Sequence, residues 1–103
     1  MNRQECNGWT NYETWLANLW FDDAFSDDAD TALERAAEDT DGTEIKAEAV
    51  RALAETIEEA IVAATTEETS IPESGFVADI LNAALREINY REIAEHYIDD
   101  RLP

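Results

Sequence analysis

The sequence predicts an all-α fold, a single compact domain of about five helices. Three observations carry that expectation. Apolar residues recur at i, i+3, i+4 and i+7 in successive stretches, almost no stretch alternates apolar with polar residues, and helix-start residues stand ahead of several of the periodic runs. At 103 residues the chain has room for one modest core and no second one, so 1–103 is read as one acidic helical domain. Hydrophobic residues make up 45%, enough to build that core in spite of a net charge of −18.

Residues 1–8 are polar and are expected to form a flexible N-terminus. Thr10-Asn11-Tyr12-Glu13 then reads as a capping box, with Thr10 the cap, Glu13 its return arm and Asn11 the alternative cap. The helix it opens places Tyr12, Trp15, Leu16, Leu19 and Trp20 on one face. A second helix is predicted over 27–38, with Ser26 as cap and Asp27, Asp28 and Asp30 against the positive end of the helix dipole. Its apolar face, Ala29, Ala32, Leu33, Ala36 and Ala37, can pack closely but buries little area, so this helix depends on its neighbours. After the Asp41-Gly42 break the longest helix is predicted over 43–64, with Val50, Leu53, Ile57, Ala60, Ile61 and Ala64 as its buried stripe. A loop over 65–75 containing Pro72 precedes a fourth helix whose core face is Phe76, Val77, Ile80, Leu81, Ala84, Leu85 and Ile88. Asn89 caps a fifth, with Glu92 at the third position, Ile88 and Ile93 as a hydrophobic staple, and Tyr90, Ile93, Ala94, Tyr97 and Ile98 at helical spacing.

The two ends of the chain carry a resemblance. Asn7-Gly8-Trp9-Thr10-Asn11-Tyr12-Glu13-Thr14-Trp15, followed by Leu19-Trp20, resembles the opening of a family of small proteins of phages and other mobile elements built on an N-Y-E-T-W-x-x-x-L-W signature. Ile88-Asn89-Tyr90-Arg91-Glu92-Ile93-Ala94-Glu95 is similar to that family's closing segment, where Trp is more frequent at the position of Tyr90. The acidic middle takes no part in the likeness. The resemblance implies a mobile-element setting and a shared helical scaffold, and it supplies no catalytic residue.

Trp9, Trp15 and Trp20 are all the tryptophans of the chain, and their preferred role is a core cluster. The first and last helices are expected to meet through Trp15, Leu19, Trp20, Ile93 and Tyr97. Base or sugar stacking is the alternative, disfavoured by the charge. Asn11 and Glu13 are read as capping residues. His96 is the only histidine and is expected to be a half-exposed structural residue, which leaves neither a serine triad nor a His/Cys metal set. Asp39-x-Asp41-Gly42 with Glu48 matches part of a calcium loop. However, Ala37 stands at the first ligand position and Glu44 at the usually apolar eighth, so a helix-breaking turn is preferred. No cofactor and no enzymatic activity are expected. The lone Cys6 argues against a disulfide scaffold, leaves an intermolecular bridge as a lesser possibility, and points to a reducing compartment. With no signal-type or membrane-spanning run, the host cytoplasm is the expected location.

The charge is what points to function. Twenty-five acids face seven bases, and ten acids crowd between Asp22 and Glu44 with Arg35 the only base among them. Self-repulsion of that size calls for a basic partner, bound cations or a salty solvent. It also disfavours direct binding to nucleic acid or anionic lipid. On a projection of about 100° per residue, Glu44, Glu48, Glu55, Glu58 and Glu59 share one side of the long helix with Arg51. The candidate partner-binding residues are therefore Asp22, Asp23, Asp27, Asp28, Asp30, Glu34, Glu38, Asp39, Asp41, Glu44, Glu48, Glu55 and Glu59. The expected function is mimicry of DNA: these carboxylates occupy a basic groove of a nucleic-acid-binding complex in a host defence system, of the anti-CRISPR or anti-restriction type. Two alternatives stand beside it. One is adaptation to high salt, which one lysine against six arginines favours; the second is a generic protein-interaction module. The sequence leaves the oligomeric state open.

Overall fold

In the computed structural model, residues 8–66 and 74–102 are described, and helical periodicity is realised there in five helices with no β-strand. In chain order they are α1 (Tyr12–Trp20), α2 (Ser26–Asp39), α3 (Ile45–Thr66), α4 (Phe76–Glu87) and α5 (Tyr90–Arg101). Cys6, most of the N-terminal stretch and the segment with Pro72 lie outside the described residues.

The 22 residues of α3 span about 33 Å at 1.5 Å per residue, and α3 runs between α2 and α5, which also touch each other. Its face of Ala49, Val50, Leu53, Ile57 and Ile61 is buried. Ala29, Ala32 and Ala36 of α2 and Ile93, Ala94 and Ile98 of α5 complete one core with it. Fully burying a Leu or Ile contributes roughly 1.5–3 kcal/mol, so α3 and α5 supply most of the hydrophobic stabilisation. The alanines of α2 add close approach rather than area. Phe25 closes the end of this core, with the Tyr97 ring edge-on to it at 6.2 Å and Phe21 at 6.1 Å.

Several sequence expectations need correction. Ala37 and Ala60 are exposed and Ala64 only half-buried, because the buried arcs of α2 and α3 are narrower than the apolar runs. Ser26 does not cap α2; the helix includes it, Phe25 holds the cap position without a side-chain bond, and the Ser26 carbonyl accepts from the Arg101 guanidinium at 3.1 Å. In α4, Phe76, Val77 and Ile80 are exposed, and the inward residues are Ala78 and Leu85, with Leu81 and Ile88 half-buried.

The largest departure is α1. Tyr12, Leu19 and Trp20 are exposed, while Thr14 and Ala17 on the opposite side are buried. The helix is turned by roughly half a turn from its expected orientation, so Leu19 and Trp20 do not join Ile93 and Tyr97 in the core. Trp15 packs half-buried against that core, and of the three tryptophans only Trp9 is buried. A polar network explains the rotation. Asn11, not Thr10, caps α1: its carbonyl oxygen accepts from the Thr14 amide at 2.9 Å and from the Thr14 hydroxyl at 2.7 Å. The Asn11 amide donates to the Glu87 carbonyl at 2.7 Å, and Thr14 Oγ1 accepts from the Asn89 amide at 2.8 Å. Glu92, the expected return arm of the α5 capping box, accepts instead from the Thr10 amide at 3.0 Å, while Asn89 caps α5 through the Glu92 amide. Buried polar atoms must find partners, and these partners sit at the α4–α5 corner. The polar edge of α1 is therefore drawn inward and its apolar edge turned out.

Candidate functional site

The acid face is built on two helix crests. In α2 the alanines fix which side is buried. Opposite them Asp27, Glu34 and Glu38 fall within about 40° of one another on the helical projection, and all three are exposed. In α3 the buried stripe does the same for Glu48, Glu55 and Glu59, again within about 40°. The two helices lie side by side, with a groove of about 360 Å³ between them lined by Asp28, Thr31, Arg35 and Asp39 from one and Glu48, Arg51 and Thr56 from the other. The side-by-side packing thus gathers Asp27, Asp28, Glu34, Glu38 and Asp39 of α2 and Glu48, Glu55 and Glu59 of α3 into one acid face, which Asp30 and Glu58 do not join.

Not every candidate acid joins that face. Asp22 and Asp23 stand in the turn between α1 and α2, where Asp23 has a left-handed backbone with φ of 62°. With Asp100 they line a separate cleft of about 210 Å³ that also contains Trp9 and His96. Asp30 points to the α5 side, where Arg101 holds it at 2.7 Å; the same guanidinium donates to the Tyr97 carbonyl at 3.0 Å. Asp41 is engaged in the turn: its Oδ1 accepts from the Thr43 amide at 3.0 Å and the Thr43 hydroxyl at 2.6 Å, which holds its carboxyl below the usual aspartate range. Glu44 accepts from the Thr40 hydroxyl at 3.3 Å. Among the described residues no three His, Cys, Asp or Glu side chains converge so as to hold a metal ion.

Charge compensation on the acid face is local. Arg51 bridges Glu48 and Glu55, at 3.0 Å from the latter, and its hydrogen bonds hold the Glu48 carboxyl below its ordinary range and raise the guanidinium. Lys46 is spent on Asp99 at 2.7 Å. Arg86 and Arg91 line a groove of about 560 Å³ on the other flank of α3, with Glu58 and Tyr90. Asp27, Asp28, Glu34, Glu38, Asp39 and Glu59 make no ion pair among the described residues, so the crests remain anionic.

His96 is exposed rather than half-exposed, and its ring stacks on Trp9 with centroids 4.0 Å apart. The interlock of Asn11, Thr14, Asn89 and Glu92 joins the two segments that carry the N-Y-E-T-W resemblance. Both are thereby placed in one architectural corner, where Thr10, Asn89, Tyr90 and Arg91 border a groove with Arg51 and Glu55 of α3. The model of a family of unknown function (DUF7249) matches residues 2–100. The chain belongs to that family. The matched span includes the acidic middle as well as the two ends, so the family extends over the acid face too. No curated protein and no solved structure matches the chain. Among the described residues no helix is long and apolar enough to cross a membrane.

The sequence marks the exposed acids of α2 and α3 by their helical spacing but does not mark the cleft of Asp22, Asp23 and Asp100. Its members are far apart in sequence, and only the packing of α5 beside the α1–α2 turn unites them.

Proposed function

We propose that this protein is a non-enzymatic acidic decoy that occupies the basic groove of a nucleic-acid-binding partner. The partner class is a nuclease or guide-RNA complex of a host defence system, and the resemblance to phage and mobile-element proteins supports that setting. The observation that carries the reading is the side-by-side placement of the α2 and α3 crests, on which Asp27, Glu34, Glu38 and Glu59 make no ion pair among the described residues. Residues four apart on these crests, Glu34 with Glu38 and Glu55 with Glu59, are separated by about 6 Å along the helix axis. The whole body is 46 Å in its longest dimension. A net charge of −18 over that length is one per about 2.6 Å, against about 1.7 Å for a DNA duplex. The density is lower than that of DNA but of the same order. Lysines and arginines that read phosphates are indifferent to sequence, so a rigid row of carboxylates satisfies them without presenting a base edge. Complementary charge speeds the encounter, and the affinity falls as salt rises.

The test is competition. A partner is captured from the host at moderate salt, and its DNA binding is measured with the wild-type chain and with Asp27→Asn, Asp28→Asn, Glu34→Gln and Glu38→Gln combined. Four exposed contacts of about 0.7 kcal/mol each predict a loss of inhibition of roughly a hundredfold, with the circular dichroism of a folded helical protein retained. Equal inhibition by the two proteins rejects the decoy.

Salt adaptation is the second reading, favoured by the single lysine and by the acids Asp22, Asp23, Asp99 and Asp100 away from the crests. It requires the chain to unfold when salt is withdrawn, whereas a decoy is folded in dilute buffer.

A further inference from the structure

The outward face of α4 is apolar over its N-terminal two turns, in a chain that is otherwise acidic. Phe76, Val77 and Ile80 are 79%, 57% and 53% exposed. On the helical projection Phe76, Ile80 and Ala83 form the centre of this face, with the exposed Glu87 at its C-terminal end, Val77 and Ala84 one flank, and Asp79 and Arg86 the other. Alongside, α1 packs on α4 and exposes Leu19 and Trp20. Exposed apolar surface gathered in this way marks an interaction site.

We propose that α4 is a self-association surface, through which two copies of this chain pair with their α4 helices antiparallel. The two charges identify the occupant. In an antiparallel pair about a two-fold axis, each flank of one helix meets the same flank of its mate. Asp79 and Arg86 are two turns apart on one flank. With the axis between Asn82 and Ala83, Asp79 of each copy therefore faces Arg86 of the other, and the contact is made twice. Both side chains are exposed, and neither makes an ion pair within the chain among the described residues. Ala83 at the axis permits close approach, and Ile80 of each copy covers Ala83 and Ala84 of the other, with Glu87 of the mate at the edge of that contact.

One helix face per copy is a small interface, below about 1,200 Å², which belongs to the transient class. Two bodies of net charge −18 also repel one another. Salt screens that repulsion and leaves the apolar contact intact, so pairing tightens as salt rises. This response is opposite in sign to that of the decoy and its target, so each proposal can fail without the other.

Sedimentation equilibrium of the full chain over a concentration series, at low and high salt, tests the pairing. The mass is expected to move from one chain to two with rising concentration, at lower concentrations in high salt. Ile80→Glu holds the chain at one copy with unchanged circular dichroism; if that variant loses helicity, Phe76→Ser takes its place. Asp79→Arg and Arg86→Glu each place like charges in contact twice and weaken pairing several-fold. An equimolar mixture of these two variants restores it, because both contacts of the mixed pair are attractive. A wild-type chain that is monomeric at every concentration and salt overturns the proposal. So does a dimer that survives Ile80→Glu, or a mixture that pairs no better than its components.

Discussion

At the scale of single residues, the fold turns on polar side chains that periodicity treats as surface. Asn11 is 7% exposed and Thr14 is fully buried, whereas Trp20 is 77% exposed. The capping character of Asn11 was legible, because an Asn beside a helical run has few other roles. Its burial was not, because the distant partners of Asn11 and Thr14, the Glu87 carbonyl and the Asn89 amide, lie more than seventy residues away. Trp9→Ala should therefore lower stability by about 3–5 kcal/mol in urea denaturation, as for a truncated core tryptophan, while Trp20→Ala stays within about 0.5 kcal/mol of wild type. Asn11→Ala removes the cap and leaves Thr14 and Glu87 short of partners, and should cost about 1–3 kcal/mol by the same measurement. Tyr97 sets a pH limit. Burial pushes its hydroxyl up, and Tyr90 is raised by the same cause. An unfolded tyrosine titrates near about 10, so the neutral form is favoured in the fold. This contribution is intact below about pH 10 and is lost as pH climbs through the folded value. Melting temperature should fall with rising pH in that range, and Tyr97→Phe should flatten the fall.

At the scale of elements, helix positions were legible and helix rotations only partly so. For α3 and α5 the buried stripe coincides with the strongest run of Ile, Leu and Val, and both lie as periodicity places them. For α1 and α4 the apolar stripe is real, but each helix has few neighbours. Its rotation is decided by the Asn11 network and by Ala78 and Leu85 instead. Helix α2 lies between these cases, because its alanines mark a side without saying how tightly it packs. Ala29 and Ala36 are 0% and 2% exposed, so α2 approaches the core closely. Ala36→Leu should cost about 1–3 kcal/mol through overpacking, while Ala37→Leu, one residue on and exposed, should fall within about 0.5 kcal/mol of wild type. Thermal melts of this pair measure how closely α2 is seated, and equal melting temperatures would place its buried side elsewhere.

At the scale of the whole molecule, the acids are arranged against electrostatic stability. Helix dipoles favour acids in the first turn and bases in the last. Asp27 and Asp28 follow that rule in α2, yet the same helix ends in Glu38 and Asp39 with no base in its last turn. Those two carboxylates meet the negative end of the dipole and the repulsion of their neighbours, and neither is compensated by an ion pair among the described residues. Under the decoy reading this unfavourable placement is maintained for the partner, and stability and binding then respond to the same change in opposite directions. Glu38→Gln with Asp39→Asn should raise stability by roughly 0.3–1 kcal/mol per residue in dilute buffer. The gain should shrink as salt screens the dipole and the repulsion. The same pair of substitutions should weaken competition with DNA for the partner's groove. Salt adaptation expects the reverse for folding, since carboxylates that organise water and cations stabilise most when salt is abundant. Urea denaturation of the double variant at low and high salt separates the two: a stability gain confined to low salt supports the decoy, and a loss that grows with salt assigns the acids to the solvent.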